Sequence, residues 1–134
     1  MSEHSNPESE NREFQRTTVK FLVLYKVHAP VTVRLQVGDK LIDAIAVDLS
    51  AGGMAVLTNY AIPVDTVVNL DFTLLNEQET VDEHRCRTIQ IQGQIRYSYL
   101  TKEKAYRLGI RFLDMSSDER NFIIKFVALA AIHT

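Results

Sequence analysis

The sequence is poor in the residues that cross-link or anchor a chain. Its 134 residues include one cysteine, no tryptophan, three prolines and five glycines. A single cysteine cannot form an internal disulfide, and it leaves no CxxC pair to bind structural zinc. The longest unbroken apolar run, Phe126 to Ile132, is far shorter than the roughly 20 residues that a membrane-spanning helix needs. Disulfide scaffolds, zinc modules and membrane-spanning helices are therefore not expected.

An excess of either charge is also missing. Fifteen lysines and arginines stand against 17 aspartates and glutamates, which gives a formal net charge of −2. Such a chain is not a bulk polycation, so wholesale electrostatic binding to nucleic acid or to acidic membranes is not expected. The N-terminus, MSEHSNPESENREFQR, lacks the apolar core of a signal peptide. With 46% hydrophobic residues, the composition indicates a small globular protein of the cytoplasm.

Alternating apolar and polar residues predict a mainly β fold from about residue 18 onward. The clearest strand places the apolar residues of 68–74 on one face, and two further strands are predicted over 89–99 and 106–112. The tyrosines of the last two strands, Tyr97, Tyr99 and Tyr106, are assigned to core or cross-strand packing. The alternation of 31–37 predicts another half-buried strand, with a hairpin turn at Gly38-Asp39 and a return strand over 40–47. A short strand is predicted around 54–57.

The pattern changes to a helix at the C-terminal end. Ser116 and Glu119 form a capping box, and apolar residues at helical spacing follow, so a helix is predicted over about 116–131. Residues 1–11 are polar and are interpreted as a mobile tail. The expected architecture is a single domain over residues 12–134, mainly β. It is a six- or seven-stranded antiparallel β-barrel, of the split type, closed by the C-terminal α-helix.

Two polar clusters carry the candidate chemistry. Arg12 and Arg16 form an RxxxR motif at the start of the predicted barrel, and residues 48–53 form a DxSxxG turn between two strands. Either motif alone is weak, because charged tails are usually solubilising and Asp, Ser and Gly are ordinary turn residues. Their order resembles the PilZ family, and so do the later segments GQIRY (93–97) and YRLGIRF (106–112).

This resemblance, which covers about Arg12 to Val127, implies a six-stranded antiparallel barrel that binds the bacterial second messenger cyclic di-GMP. It implies ligand-binding roles for Arg12 and Arg16 and for Asp48, Ser50 and Gly53 of the turn. It implies no enzyme activity, cofactor or metal, and a protein effector as partner. In many relatives another arginine precedes RxxxR, but here that residue is Asn11, which leaves open whether one or two ligand molecules bind.

The chemistry of these side chains suits such a ligand. An arginine fork grips a phosphate or the O6 and N7 atoms of guanine with two hydrogen bonds. The carboxylate of Asp48 can accept from the N1 and N2 edge of guanine, and Ser50 can donate to an oxygen. Gly53 would let the backbone approach the ligand closely. The interval from Arg16 to Asp48 is long, so Val19–Val27 is interpreted as a strand added to the usual barrel.

Other functions find less support in the residues. The four histidines are scattered, Cys86 has no further ligand at metal spacing, and Ser50 has no G-x-S-x-G setting for nucleophilic catalysis. Two alternatives to a nucleotide receptor remain open. One is a PilZ-like interaction domain that binds only a protein partner, and the other is a small barrel that binds single-stranded nucleic acid through aromatic residues.

Overall fold

The computed structural model describes residues 14–76 and 85–132. Within these ranges the chain forms six strands and two helices. The strands are β1 (Arg16–Ala29), β2 (Ile42–Ser50), β3 (Gly53–Thr58), β4 (Val67–Leu75), β5 (Cys86–Leu100) and β6 (Tyr106–Leu113). Helix α1 (Val31–Val37) connects β1 to β2, and helix α2 (Ser117–Ile132) follows β6. The predicted tail over residues 1–11 and the motif residue Arg12 lie outside the described residues.

The six strands close into an antiparallel barrel. Their order around the wall is β1-β2-β3-β6-β5-β4, and β4 pairs with β1 to complete the ring. Closure satisfies the backbone hydrogen bonds of the wall and leaves no free sheet edge there. The prediction of a mainly β fold with six antiparallel strands and a C-terminal helix is confirmed.

Alternation along the strands fills the interior. The four apolar residues of β4 predicted to share a face, Val68, Leu70, Phe72 and Leu74, are each at most 2% exposed. The ring of Phe72 stacks between those of Phe21 and Phe112, with centroids 5.8 Å and 6.1 Å away. Side chains from opposite walls thus meet in a packed core, as expected for a barrel of this size.

The strand predicted over 31–37 is wrong, because these residues form helix α1. The carbonyl oxygen of Pro30 accepts from the N–H groups of Val33 and Arg34, and the N–H of Gly38 donates to Arg34 O. Gly38 ends the helix with a φ of 104°, in the region that favours glycine, so Gly38-Asp39 is not a hairpin turn. The barrel wall closes without this segment, and helix α1 buries only one of its faces.

The boundaries of the first strands also differ from the prediction. Val19–Val27 is not an added strand but the middle of β1, a wall strand that pairs with both β2 and β4. The long interval before Asp48 is instead occupied by α1. Strand β2 runs on through Asp48 to Ser50, so the turn shrinks to residues 51–52.

Helix α2 begins where the capping box predicts. The N–H of Glu119 donates to Ser116 Oγ at 3.1 Å, and that hydroxyl lies 3.2 Å from Glu119 Oε1. Ile123 and Val127, four residues apart on one face, are buried against the barrel. No helix within residues 14–76 and 85–132 is long and apolar enough to cross a membrane.

The barrel has two distinct ends. At the turn end lie the start of β1, the β2–β3 turn and the end of β6. At the α1 end lie helix α1 and the loops over 38–41, 59–66 and 101–105. This distinction follows from the antiparallel pairing alone, and it decides which loops are neighbours.

Candidate functional site

Strand pairing brings Arg16 of the first motif beside the second motif at the turn end. In the register of β1 against β2, Arg16 lies opposite Ser50 and Thr18 opposite Asp48. Arg16 Nε is 3.4 Å from Asp48 Oδ2, and the two side chains are 43% and 27% exposed. An exposed ion pair of this kind stabilises a fold very little. Both groups therefore remain available to a ligand, although 32 positions separate them in the chain.

Ser50 lies in the wall of the turn rather than at the surface. It is only 3% exposed. Its Oγ accepts from the N–H of Gly52 at 3.1 Å and lies 3.5 Å from the carbonyl oxygen of Gly53. The hydroxyl thus satisfies the backbone of the β2–β3 turn, which is a common role of serine in turns.

Glycine is required at position 53 because strands β3 and β6 approach each other closely there. A Cβ built on Gly53 would lie 2.1 Å from the carbonyl oxygen of Ile110 in β6. No larger residue fits without moving backbone. The close approach that the sequence suggested at this position is therefore made by β6 of the same chain.

An aromatic and cationic cluster lies on the outside of β5 and β6. Tyr97 covers Gly109, where a Cβ would lie 2.0 Å from the ring, and Tyr97 stacks on Tyr99 with centroids 5.8 Å apart. Arg107 Nε donates to Tyr97 Oη at 3.3 Å. That hydrogen bond raises the pKa of Arg107, and the charge of Asp48 adds to the effect. Tyr97 thus packs across strands onto Gly109, as predicted, but on the outer face, and Tyr99 stacks on it from the same strand.

This cluster and the motif residues share one face of the wall. Asp48, Ala55, Gly109 and Tyr97 form one cross-strand row through β2, β3, β6 and β5. Adjacent strands are about 4.8 Å apart, so the row is roughly 14 Å long. Arg16 stands near one end of the row and Arg107 near the other. We call this surface, defined by Arg16, Asp48, Ala55, Tyr97, Arg107 and Gly109, the arginine face.

Phe14 anchors the chain just before the arginine face. A Cβ on Gly52 would lie 3.2 Å from the Phe14 ring, which packs against the core. Arg120 of α2 stands over the same ring, with its Cζ 5.6 Å from the centroid. These contacts, which include a cation–π interaction, fix the start of β1 to both the turn and the helix.

The described part of the chain therefore joins Arg16 and Asp48 and places Ser50 and Gly53 on either side of the β2–β3 turn. Arg12 lies outside the described residues. Sequence reasoning missed Arg107 and Phe14, and it assigned Tyr97 to packing alone. Phe14 stands between the two motif arginines, which is a local signal, but only the β5–β6 register brings Arg107 beside Tyr97 on the arginine face.

The arginine face presents groups that suit a nucleotide. Guanidinium groups bind phosphate and the Hoogsteen edge of guanine, a carboxylate accepts from the guanine N1 and N2 groups, and tyrosine rings stack on bases. Within residues 14–76 and 85–132, no cluster of three or more His, Cys, Asp or Glu residues is placed to hold a metal ion.

Comparison with protein families decides the relationship. The model of the PilZ domain matches residues 10–129, which is most of the chain. The chain belongs to the PilZ family. No match was found among curated protein sequences. Members of this family are receptor or adaptor domains. The predicted resemblance to the family is confirmed.

Solved PilZ structures share the fold at low sequence identity. The inhibitor of motility MotI/DgrA from Bacillus subtilis has a TM-score of 0.73 and 13% identity, over 92% of this chain and 52% of that one. The PilZ domain of Escherichia coli YcgR, solved with c-di-GMP, has a TM-score of 0.58 and 16% identity, over 91% of this chain and 95% of the other. The c-di-GMP complex of MrkH from K. pneumonia has a TM-score of 0.61 and 15% identity, over 91% and 52%. This chain thus spans about half the length of MotI/DgrA and of MrkH.

Proposed function

We propose that this chain is a cyclic di-GMP receptor domain and that the arginine face binds the nucleotide. The observation that carries the proposal is the 3.4 Å approach of Arg16 Nε to Asp48 Oδ2, which joins one residue of each motif on an exposed surface. Membership of the PilZ family and the c-di-GMP complexes of YcgR and MrkH support the choice of ligand.

Each group on this face has a chemical role in the proposal. Arg16 releases Asp48 and turns its fork to a phosphate or to a guanine edge, while Asp48 accepts from the N1 and N2 groups of guanine. The guanidinium group of Arg107 neutralises the negative charge of a phosphate, and a base of the nucleotide stacks on the ring of Tyr97. Ser50 acts mainly by holding the turn, and Gly53 by allowing β3 to approach β6.

Arg12 would complete the site from the N-terminal arm, the segment that precedes Phe14. Phe14 is fixed against the turn, and two residues of chain span at most about 7 Å. The reach of an arginine side chain adds to that span, so Arg12 can meet a ligand that lies over Asp48. We propose that closure of the arm over the nucleotide is the signal and that a protein effector reads it.

Calorimetric titration of cyclic di-GMP into the full chain tests the site. Each hydrogen bond to a charged group contributes about 1.5–3 kcal/mol, so Arg16→Ala and Asp48→Ala should each weaken binding by about tenfold to a hundredfold. Arg16→Lys keeps the charge but loses the fork and should also bind weakly. The matched control is Arg34→Ala, which removes an exposed arginine of α1 at the opposite end and should bind like wild type.

Two results would contradict the proposal. Unchanged affinity in both Arg16→Ala and Asp48→Ala would remove the arginine face as the site. Absence of heat from the wild-type protein, with thermal unfolding showing that it is folded, would leave a PilZ domain that acts through a protein partner without the nucleotide.

A further inference from the structure

The α1 end of the barrel gathers exposed aliphatic side chains. Five residues in or beside its helix and loops are between 52% and 78% exposed: Val31, Leu35, Leu41, Val64 and Leu100. Single exposed aliphatic residues are ordinary on a protein surface. Five exposed aliphatic residues at one end of a small barrel form an apolar surface, and such surfaces are typical of interaction sites.

Helix α1 presents this apolar surface outward. Val33 is only 8% exposed, and Val37, four residues later on the same face, also packs against the core. Val31 and Leu35 are likewise four apart, and successive helical residues turn by about 100°, so this pair lies on the opposite face. Leu35 is 78% exposed, more than any other large hydrophobic residue in the described ranges. The core thus holds one face of α1 and leaves an aliphatic ridge on the other.

Cations accompany the exposed aliphatic residues in sequence. Arg34 directly precedes Leu35, Lys40 directly precedes Leu41, and Lys102 follows Leu100 by two positions. Asp39, a nearby carboxylate, is paired with Lys26 at 3.3 Å. Segments 26–43, 59–66 and 101–105 together hold five cations and four carboxylates, namely Lys26, Arg34, Lys40, Lys102 and Lys104 against Asp39, Asp43, Asp65 and Glu103. This end is therefore locally cationic, although the whole chain has a net charge of −2.

We propose that the α1 end docks on an anionic lipid bilayer, with Val31, Leu35 and Leu41 entering the interface and Arg34 and Lys40 at the headgroups. Aliphatic residues flanked by cations are the composition of a surface-binding element, because the aliphatic groups leave water while the cations meet lipid phosphates. A protein hot spot would favour aromatic anchors in a pocket instead. With so few groups, the docking is weak and reversible.

Docking at this end leaves Arg16 and Asp48 of the arginine face accessible. Arg16 and Asp48 lie near the turn end, away from α1, where the antiparallel pairing places β1's start and β2's finish. A bilayer against α1 therefore does not cover these two residues, whereas Arg107, the second residue of β6, lies nearer the α1 end. The proposal is independent of the ligand, and either can fail without the other.

Co-sedimentation of the full chain with lipid vesicles tests the docking. We expect binding to vesicles that mix phosphatidylglycerol with phosphatidylcholine, little binding to phosphatidylcholine alone, and loss of binding at high salt. Arg34→Glu and Lys40→Glu should each lower the partition coefficient by about fivefold or more, since one cation contributes about that factor at an anionic surface. Leu35→Ser should lower it as well, through lost burial.

Matched variants on the other parts of the barrel serve as controls. Leu75→Ser changes a leucine that is 53% exposed at the turn end, and Lys20→Glu reverses an exposed lysine on β1. Both should sediment like wild type, and all variants should unfold at the wild-type temperature, since each changed side chain is exposed.

Three outcomes would overturn the proposal. One is that wild type fails to sediment with anionic vesicles at low salt. Another is that the control variants lose binding as strongly as Arg34→Glu and Leu35→Ser. The third is that the chain self-associates without lipid and Leu35→Ser abolishes this, which would make the α1 end an interface between two copies.

Discussion

Replacing Gly53 by alanine should push β3 away from β6. A methyl group at this position would lie 2.1 Å from the carbonyl oxygen of Ile110 and 3.2 Å from Arg111 Cα. Both obstacles are backbone atoms in a paired strand, so they cannot move aside as a side chain would. The substitution must lengthen or break hydrogen bonds between the two strands of a closed barrel.

The cost follows from the geometry. Overpacking a well-packed site usually costs about 1–3 kcal/mol, and a clash with backbone belongs at the upper end of that range. A domain of this length unfolds with an entropy of about 2.1 cal/mol/K per residue, so each kcal/mol lowers Tm by about 3–4 °C. Gly53→Ala should therefore lower Tm by about 7–10 °C.

Thermal unfolding followed by circular dichroism measures this change without any ligand. The matched control is Gly52→Ala, whose methyl would lie 3.2 Å from Phe14 Cδ2, at a ring edge that can shift. It should change Tm by no more than about 3 °C, because Ala also restricts the unfolded chain. If Gly53→Ala has the Tm of the wild type, the close approach of β6 does not explain why glycine is required at this position. A contact with the ligand would then be the better explanation.

Three further changes test other parts of the fold. Tyr25 donates to or accepts from Thr58 Oγ1 at 2.8 Å, and burial raises the pKa of Tyr25 to about 12. The unfolded chain loses the phenol proton of Tyr25 near pH 10, whereas the folded chain keeps it up to about pH 12. The free energy of unfolding of the wild type, measured in urea, should therefore fall by about 2–3 kcal/mol between pH 10 and pH 12. Tyr25→Phe has no such proton and should show a smaller fall. Ser116→Ala removes the N-cap of α2 and should cost about 1 kcal/mol in the same urea assay, whereas Ser117→Ala should cost almost nothing. Val33→Ala removes the buried anchor of α1 and should lower Tm by several degrees, and an unchanged Tm would show that this helix is not anchored there.

Local patterns were enough for much of the barrel. The alternation in β4 and the capping box before α2 both predicted what the structure shows, because in each the deciding interactions lie within a few residues. The segment 31–37 shows where this reasoning stops. The period-two alternation of this segment fits a strand, but apolar residues four positions apart, such as Val33 and Val37, fit a helix equally well. Only the closure of the barrel wall without this segment excludes the segment from the sheet.

The candidate site was partly predictable for a similar reason. The sequence shows which residues belong to the motifs, namely Arg16, Asp48, Ser50 and Gly53. For Gly53, however, the sequence led us to predict a contact with the ligand. The structure shows that Ile110 occupies the space in front of it. The contribution of Arg107 depends on the pairing of β6 with β3 and β5, which connects residues far apart in the chain.

The sequence by itself determined the class of the fold, the helix that follows it and the absence of any disulfide, since composition and short-range periodicity encode these features directly. Its near balance of charge also indicated that no bulk electrostatic attraction drives binding. Tertiary structure alone decided that Arg16 meets Asp48, that Ser50 is buried against the β2–β3 turn and that an apolar, locally cationic surface gathers at the α1 end. Those features depend on strand register and on which loops share an end of the barrel, and both are set only when distant segments pair.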